Sequence, residues 1–265
     1  MKEQLTSHNQ MLEYGILKPN SNIFGFSTTR HGGCGEGAYA TFNCTHYCED
    51  NPEHVKANLE TLASLLPECP HVIVVPRQTH TTNVRVITDI PAPEELQDVD
   101  AVVTHLKDFC LCISTADCVP VLLYDKEKQV IAAIHAGWRG TVGRIVEKTL
   151  EVMKSQYGSE GKNIIACIGP SISLDSFEVG DEVYAAFEEA GFDMTRIARR
   201  YKKWLLDLWE ANRLQLLANG VMPVHIEVAG ICTYQCYEEF FAARRLGIKS
   251  GRIRSGIMLC HSSAG

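Results

Sequence analysis

The chain has 265 residues, of which 45% are hydrophobic and 22% charged, an ordinary globular composition that excludes the disordered and fibrous classes. Its net charge of -7, from 25 basic and 32 acidic residues without a long block of either sign, disfavours a nucleic-acid partner but leaves room for a local basic pocket. The longest apolar runs, at 72–75 and 119–123, are far shorter than the roughly 20 residues that span a bilayer. The opening MKEQLTSHNQ has no apolar core of an export signal. The expectation is a soluble, cytoplasmic protein with no membrane attachment.

In chain order, a β-branched segment at 23–28 leads into the loop-rich TTRHGGCGEGA, where Arg30 stands among glycines that lack dinucleotide-binding spacing. A helical pattern covers 55–66 and stops at Pro67. Strand patterns follow at 71–75, 84–88, 100–104, 109–114, 119–124 and 129–135. From 141 to 157, Val142, Ile145, Val146, Leu150 and Met153 form one apolar helical stripe, with Gly158 just beyond. A strand at 163–168, helices at 181–190 and 204–219 closed by Gly191 and Gly220, and strands at 224–228 and 257–259 complete the reading. Four strands with short turns occupy 99–135, so strands and helices do not alternate as in a doubly wound sheet. The predicted fold is α/β of the α+β type, a single domain over 1–265 with mixed β-sheets flanked by helices.

Eleven cysteines without an export signal do not read as a disulfide framework. The pairs Cys44/Cys48, Cys110/Cys112 and Cys232/Cys236 lack C-x2-C spacing, and most cysteines are expected to be reduced, buried small hydrophobes. No Walker loop, H-E-x-x-H or G-x-S-x-G is present.

Three stretches place metal-competent side chains beside strand ends or sharp turns: Gln78-Thr-His80, Thr115-Ala-Asp-Cys118-Val-Pro120 and His135-Ala-Gly-Trp-Arg-Gly140. Two imidazoles and a thiolate are zinc donors, and three protein donors leave a fourth position open, as catalytic zinc requires. Spacing alone does not separate this arrangement from ordinary loop or core histidines and an inert cysteine, because His80 and His135 are distant in sequence.

QTH at 78–80, STADCVPV at 114–121 and HAGWRGTVGRIV at 135–146 together resemble the signature of the bacterial laccase-domain, or polyphenol oxidase, family. FSTTRHGGCGEGAYATFN, CIGPSISLDSFEVGDEV, WLLDLWEANRLQL and FFAARRLGIKSGR extend the resemblance over most of the chain. Members of that family are described as purine nucleoside phosphorylases, and also as peptidoglycan-editing factors. The resemblance implies His80, Cys118 and His135 as metal ligands, with Zn2+ or copper as cofactor. It further implies phosphorolysis of adenosine, inosine and methylthioadenosine, together with adenosine deamination. Two departures stand out: Asp175 and Ser176 where the family often carries a cysteine pair, and Thr81 where it often carries glycine.

With that function, the partners are a small nucleoside and phosphate. Arg30 and Arg139 are the phosphate candidates because guanidinium forks match phosphate oxygens; a structural salt bridge is the alternative for Arg139. Trp138 either stacks on a purine or packs the strand–helix turn. Asp117 either orients a ligand histidine or caps its turn, and Arg244 and Arg245 are expected in structural ion pairs. Three other functions compete. One is an amidase acting on serine-containing wall precursors. A copper oxidase is disfavoured because the chain has no H-x-H pair and no methionine near the three motifs. A zinc-stabilised binding module would require a fourth ligand such as Cys110 or Cys112.

Overall fold

The computed structural model describes residues 10–261. The chain lays down β1 (Met11–Glu13), β2 (Ile23–Thr28), α1 (Pro52–Leu65), β3 (Val72–Val74), β4 (Val84–Val86), β5 (Ala101–Thr104), β6 (Phe109–Thr115), β7 (Val119–Asp125) and β8 (Val130–Ala136). Next come α2 (Trp138–Val142), α3 (Ile145–Tyr157), β9 (Ile164–Ile168), β10 (Glu178–Val179), α4 (Asp181–Glu189) and α5 (Met194–Ile197). The last third adds β11 (Ala198–Arg200), β12 (Trp204–Leu206), α6 (Leu208–Ala218), β13 (Ile226–Val228), α7 (Ala243–Leu246) and β14 (Ile253–Leu259).

These strands build two mixed sheets, ordered β1-β2-β14-β6-β3 and β13-β9-β7-β8-β5-β4, and a small antiparallel sheet β10-β12-β11. Side-chain alternation sorts the layers. Along β6, Phe109, Leu111 and Ile113 face the six-stranded sheet, while Cys110 and Cys112 join Leu62 of α1 on the opposite side. Along β7 and β8, Leu122, Tyr124, Ile131 and Ala133 meet the five-stranded sheet. Val121, Leu123, Ala132 and Ile134 pack beneath Ile145, Leu150 and Met153 of α3 and Leu216 of α6. The result is four layers, with α1 outside one sheet and α3, α4 and α6 outside the other.

The four strands expected between 99 and 135 are present, but they divide between sheets. β5, β7 and β8 lie in the six-stranded sheet and β6 in the other, so the chain crosses between layers at residues 116–118. His135 follows Ile131 and Ala133 in parity and therefore projects between the sheets at the end of the sandwich.

Three elements differ from expectation. The helix expected over 204–219 begins at Leu208, because Trp204–Leu206 pairs with β10 and β11 and Asp207 caps the helix by accepting from Glu210 N at 3.0 Å. The helix expected over 141–157 starts earlier, at Trp138, and breaks at Gly143–Arg144. Arg144 is left-handed (φ 64°) there, its guanidinium bonded to Ala190 O at 2.7 Å and stacked on Phe192. The last strand runs four residues further back, to Ile253, because Arg254 and Ser255 are buried ladder residues despite their polarity.

All eleven cysteines are unpaired, and seven are buried. Among the described residues no helix is long and apolar enough to cross a membrane. Leu122 sits fully buried between the two sheets. Leu122→Ala is expected to cost about 2–5 kcal/mol of unfolding free energy, measured by denaturant melts with an unchanged slope.

Candidate metal centre

The fold brings His80, Cys118 and His135 together. One ligand atom from each lies within 4.8 Å of the others, and Cys118 Sγ is 3.8 Å from His80 Nε2. Each arrives on a different support. His135 ends β8, paired with Pro120. Cys118 closes the crossing that leads into β7, and His80 sits on the loop between β3 and β4.

Asp100, fully buried just before β5, organises two of the three. Its Oδ1 accepts from His135 Nδ1 at 2.7 Å and from His80 N at 3.1 Å. Its Oδ2 accepts from Thr81 N and Thr81 Oγ1, each at 2.7 Å, and from Thr79 N at 3.3 Å. A carboxylate only accepts, so His135 carries a proton on Nδ1 and turns Nε2 towards the centre. His80 adopts φ 65°, a left-handed conformation uncommon outside glycine, which the amide bonds to Asp100 hold in place.

Asp117 takes neither of the two parts open to it in the sequence. Its carboxylate accepts from Thr233 Oγ1 and Arg244 N, both at 2.6 Å, and reaches no ligand histidine. It ties its turn to Thr233 and to the first turn of α7, with φ 79° immediately before Cys118. Burial keeps its carboxyl above the ordinary range, against those two donors. Sequence reading missed Asp100. The available signal was an acidic residue opening an entirely buried strand, where only a paired carboxylate is tolerated.

Gly137 shows how tightly the centre is built. A Cβ there would stand 2.9 Å from His80 Cδ2 and 3.1 Å from Cys118 Sγ, so the position next to His135 admits only glycine without displacement of a ligand side chain. Burial would raise the Cys118 thiol, but the facing His135 and His80 bring it down to about 6. Burial would lower His135, but Cys118 and Asp100 push it up to about 9. Asp100 itself is held below the usual carboxylate range, burial being outweighed by His135 and Thr81. Without metal, the centre is therefore a thiolate–imidazolium pair at neutral pH.

The three side chains open onto a cavity of about 560 Å³, whose wall also carries Gln78, Ser114, Thr115, Tyr47, Ile248, Arg77 and Arg252. Gln78 clamps the end of β6, accepting from Ser114 N at 2.7 Å and donating to Ser114 O at 2.8 Å. The donor set suits zinc, with two imidazoles and one thiolate, one of them backed by a carboxylate. No fourth His, Cys, Asp or Glu joins the group among the described residues. Cys110 and Cys112 lie on the far face of β6 against α1, so the closed four-ligand site of a binding module is not formed by them. No methionine lines the cavity among the described residues, which removes the weak axial ligand of a blue-copper site.

Neither predicted phosphate arginine lines this cavity. Arg30 donates to Ala40 O at 2.7 Å and Tyr237 O at 2.8 Å and stacks on Phe241, tying the glycine-rich loop to the C-terminal segment. Arg139 is exposed and lies 4.2 Å over Trp138, whose ring packs on the helix-side core. A second cavity of about 540 Å³ lies elsewhere, near Tyr14 and His261, and contains none of the three donors. The adjoining Glu68, Asp108 and His261 form a surface cluster in which His261 is paired with Asp108 at 2.8 Å.

A family model described as multi-copper polyphenol oxidoreductase laccase matches residues 24–260. The chain belongs to this laccase-domain family. A purine nucleoside phosphorylase of Bacteroides thetaiotaomicron is 54% identical over 265 residues, covering 96% of this chain and 98% of that protein. Adenosine deaminase RL5, from an unknown prokaryotic organism, is 42% identical over 91% of this chain and 96% of its own length. The crystal structure of YlmD from Geobacillus stearothermophilus superposes with a TM-score of 0.89 at 27% identity, covering 98% and 99% of the two chains.

Against the family pattern, Thr81 has a clear place: its hydroxyl gives Asp100 a bond that glycine cannot supply. Asp175 is exposed and pairs with Arg199, while Ser176 accepts from Cys232 Sγ at 3.4 Å, both away from the cavity wall.

Two measurements test the centre. Asp100→Asn should weaken zinc binding about 10- to 100-fold in chelator competition, with the circular dichroism of the fold retained. In metal-free protein, alkylation of the Cys118 peptide followed by mass spectrometry should rise through pH about 6, where an ordinary thiol would require about 9. Zinc should suppress it. A profile centred near 9 would contradict the thiolate–imidazolium pair.

Proposed function

We propose that this chain is a zinc-dependent purine nucleoside phosphorylase acting on adenosine, inosine and methylthioadenosine, with adenosine deaminase activity. The observation that carries the reading is a set of three zinc donors, one braced by a buried carboxylate, open to a cavity and lacking a fourth ligand. The names of the two relatives supply the substrate class. A cytoplasmic setting accords with eleven unpaired thiols.

His80, Cys118 and His135 would hold the metal, which when bound supplies a Lewis acid and lowers the pKa of water. The protein's own residues do the rest. Asp100 keeps His135 in one tautomer and stores the loop geometry of His80. Tyr47 and Ile248, both exposed at the cavity wall, give flat and aliphatic surface for a purine ring. The apolar core between the sheets ends just behind His135 and keeps bulk water from that side.

Among the described residues, the wall carries no Asp or Glu. The described wall therefore offers no glutamate acid–base of the kind used by base deaminases. The wall instead favours negative charge, which phosphorolysis develops on the departing purine as a phosphate oxygen bonds to C1′ and the glycosidic C–N bond breaks.

The test is product analysis by mass spectrometry with adenosine, with and without phosphate. Adenine and ribose 1-phosphate should form only with phosphate, and inosine in either case. Cys118→Ala and chelator-treated protein should lose both. A zinc-loaded sample that converts neither adenosine nor inosine would overturn the nucleoside reading and bring forward amide hydrolysis of wall precursors.

A further inference from the structure

Thirteen arginines are distributed over the sequence, and their partners divide sharply. Arg85, Arg196, Arg199 and Arg213 form ion pairs with carboxylates. Arg30, Arg139, Arg144, Arg200, Arg244 and Arg245 stack on aromatic rings. Arg244 and Arg245 thus stack where ion pairs were expected. The remaining three, Arg77, Arg252 and Arg254, do neither among the described residues, and all three gather around the cavity of the metal centre.

Arg252 and Arg77 lie on its wall. The Arg252 guanidinium donates only to main-chain carbonyls, those of Ile248, Ser250 and Gly251, and that of Arg77 only to Gln97 Oε1 at 3.2 Å. Arg254 stands one hydrogen bond behind the wall. It is 3% exposed, donates from one terminal nitrogen to Ser114 Oγ at 2.9 Å and from the other to Cys44 O, and leaves Nε without a partner. Ser114 Oγ is in turn 2.9 Å from Thr45 Oγ1, and both residues line the cavity. A buried guanidinium without a counter-charge is costly, and the protein supplies no carboxylate here.

A second observation is independent of the arginines. Thr115, 1% exposed, belongs to the same cavity wall, and its buried hydroxyl has no hydrogen-bond partner. Cationic donors, hydroxyls and the absence of any acidic side chain on the wall define one ligand chemistry, that of a tetrahedral oxyanion.

We propose that Arg252, Ser114, Thr115 and Arg77, with Arg254 behind them, form a subsite for inorganic phosphate beside His80, Cys118 and His135. The assignment rests on the phosphorylase reading for its choice among oxyanions, and it replaces Arg30 and Arg139 in that role. Gln78 couples the two halves, since it clamps the backbone of Ser114 two positions before His80.

The test titrates inorganic phosphate alone into the purified metal-loaded protein, followed by 31P line broadening, and separately measures the KM for phosphate in turnover. Arg252→Gln and Thr115→Val should each weaken phosphate binding and raise that KM, by about tenfold or more for the arginine. Arg139→Gln should leave both unchanged. Arg254→Met should act in the same direction, and the other two variants carry the test if it does not fold. Phosphate binding unchanged in Arg252→Gln and Thr115→Val overturns the subsite, even if phosphorolysis is intact. Phosphate binding lost in those variants, with no nucleoside turnover by the unaltered protein, keeps the subsite and overturns the phosphorylase reading. Loss of adenosine 5′-monophosphate binding without loss of phosphate binding would reassign the subsite to a phosphomonoester and overturn the inorganic-phosphate assignment.

Discussion

The buried carboxylate of Asp100 is the constraint on which the centre depends. A fully buried aspartate is tolerated only when its charge is surrounded by donors. Here five donors converge on it, one from β8 and four from residues 79–81. The requirement acts in both directions. Satisfying Asp100 fixes the ring of His135, and it also forces the backbone around His80 into a conformation that a free loop would avoid. On the other flank, Asp117 does the same for Cys118, its carboxylate joining Thr233 and the amide of Arg244 across a left-handed turn. Two unusual backbone positions next to metal-competent side chains thus have the same cause. Each is held by a carboxylate that packing has already made costly to release.

The fold supplies the second ingredient by sending β6 and β7 into different sheets. If residues 109–125 had formed a simple hairpin in one sheet, the end of β6 and the start of β7 would lie in a single layer. Because the chain crosses layers instead, the end of β6 and the start of β7 form two sides of an opening between the sheets. His135 enters from β8 with the parity of the inter-sheet core, so one nitrogen meets buried Asp100 and the other faces the opening. Geometry this specific follows from period-two alternation in strands that are otherwise plain runs of Val, Ile, Leu and Ala.

Much of this was legible in the sequence, and the exceptions have physical reasons. The strands from 101 to 136 announced themselves because they are buried on both faces and rich in β-branched residues. The strand at Trp204–Leu206 read as helix because three residues carry too little periodicity to compete with the helix that follows them. Arg254 and Ser255 hid the first half of the last strand, since polar residues in a central ladder look like a loop until their partners are known. The three donors were readable as motifs, but Asp100 was not, because a carboxylate at a strand entrance resembles a solvent-exposed edge. Arg30 and Arg139 end away from the cavity wall for a related reason. Nearness to glycines or to a helix start says where a guanidinium begins, whereas aromatic rings and carbonyls decide where it ends.

Charge ties the site to the rest of the molecule. The chain is acidic overall, at -7, yet the wall of its central cavity holds two arginines and two histidines and no carboxylate. An acidic exterior repels free anions, so their capture depends on a locally positive opening with low-dielectric walls, where field lines are focused. The apolar packing between the sheets provides those walls, and the unpaired arginines provide the field. Neutralising them with internal carboxylates would have stabilised the fold at the cost of that field. Their lack of ion pairs among the described residues is therefore the feature that most directly connects the packing of this protein to the chemistry of its cavity.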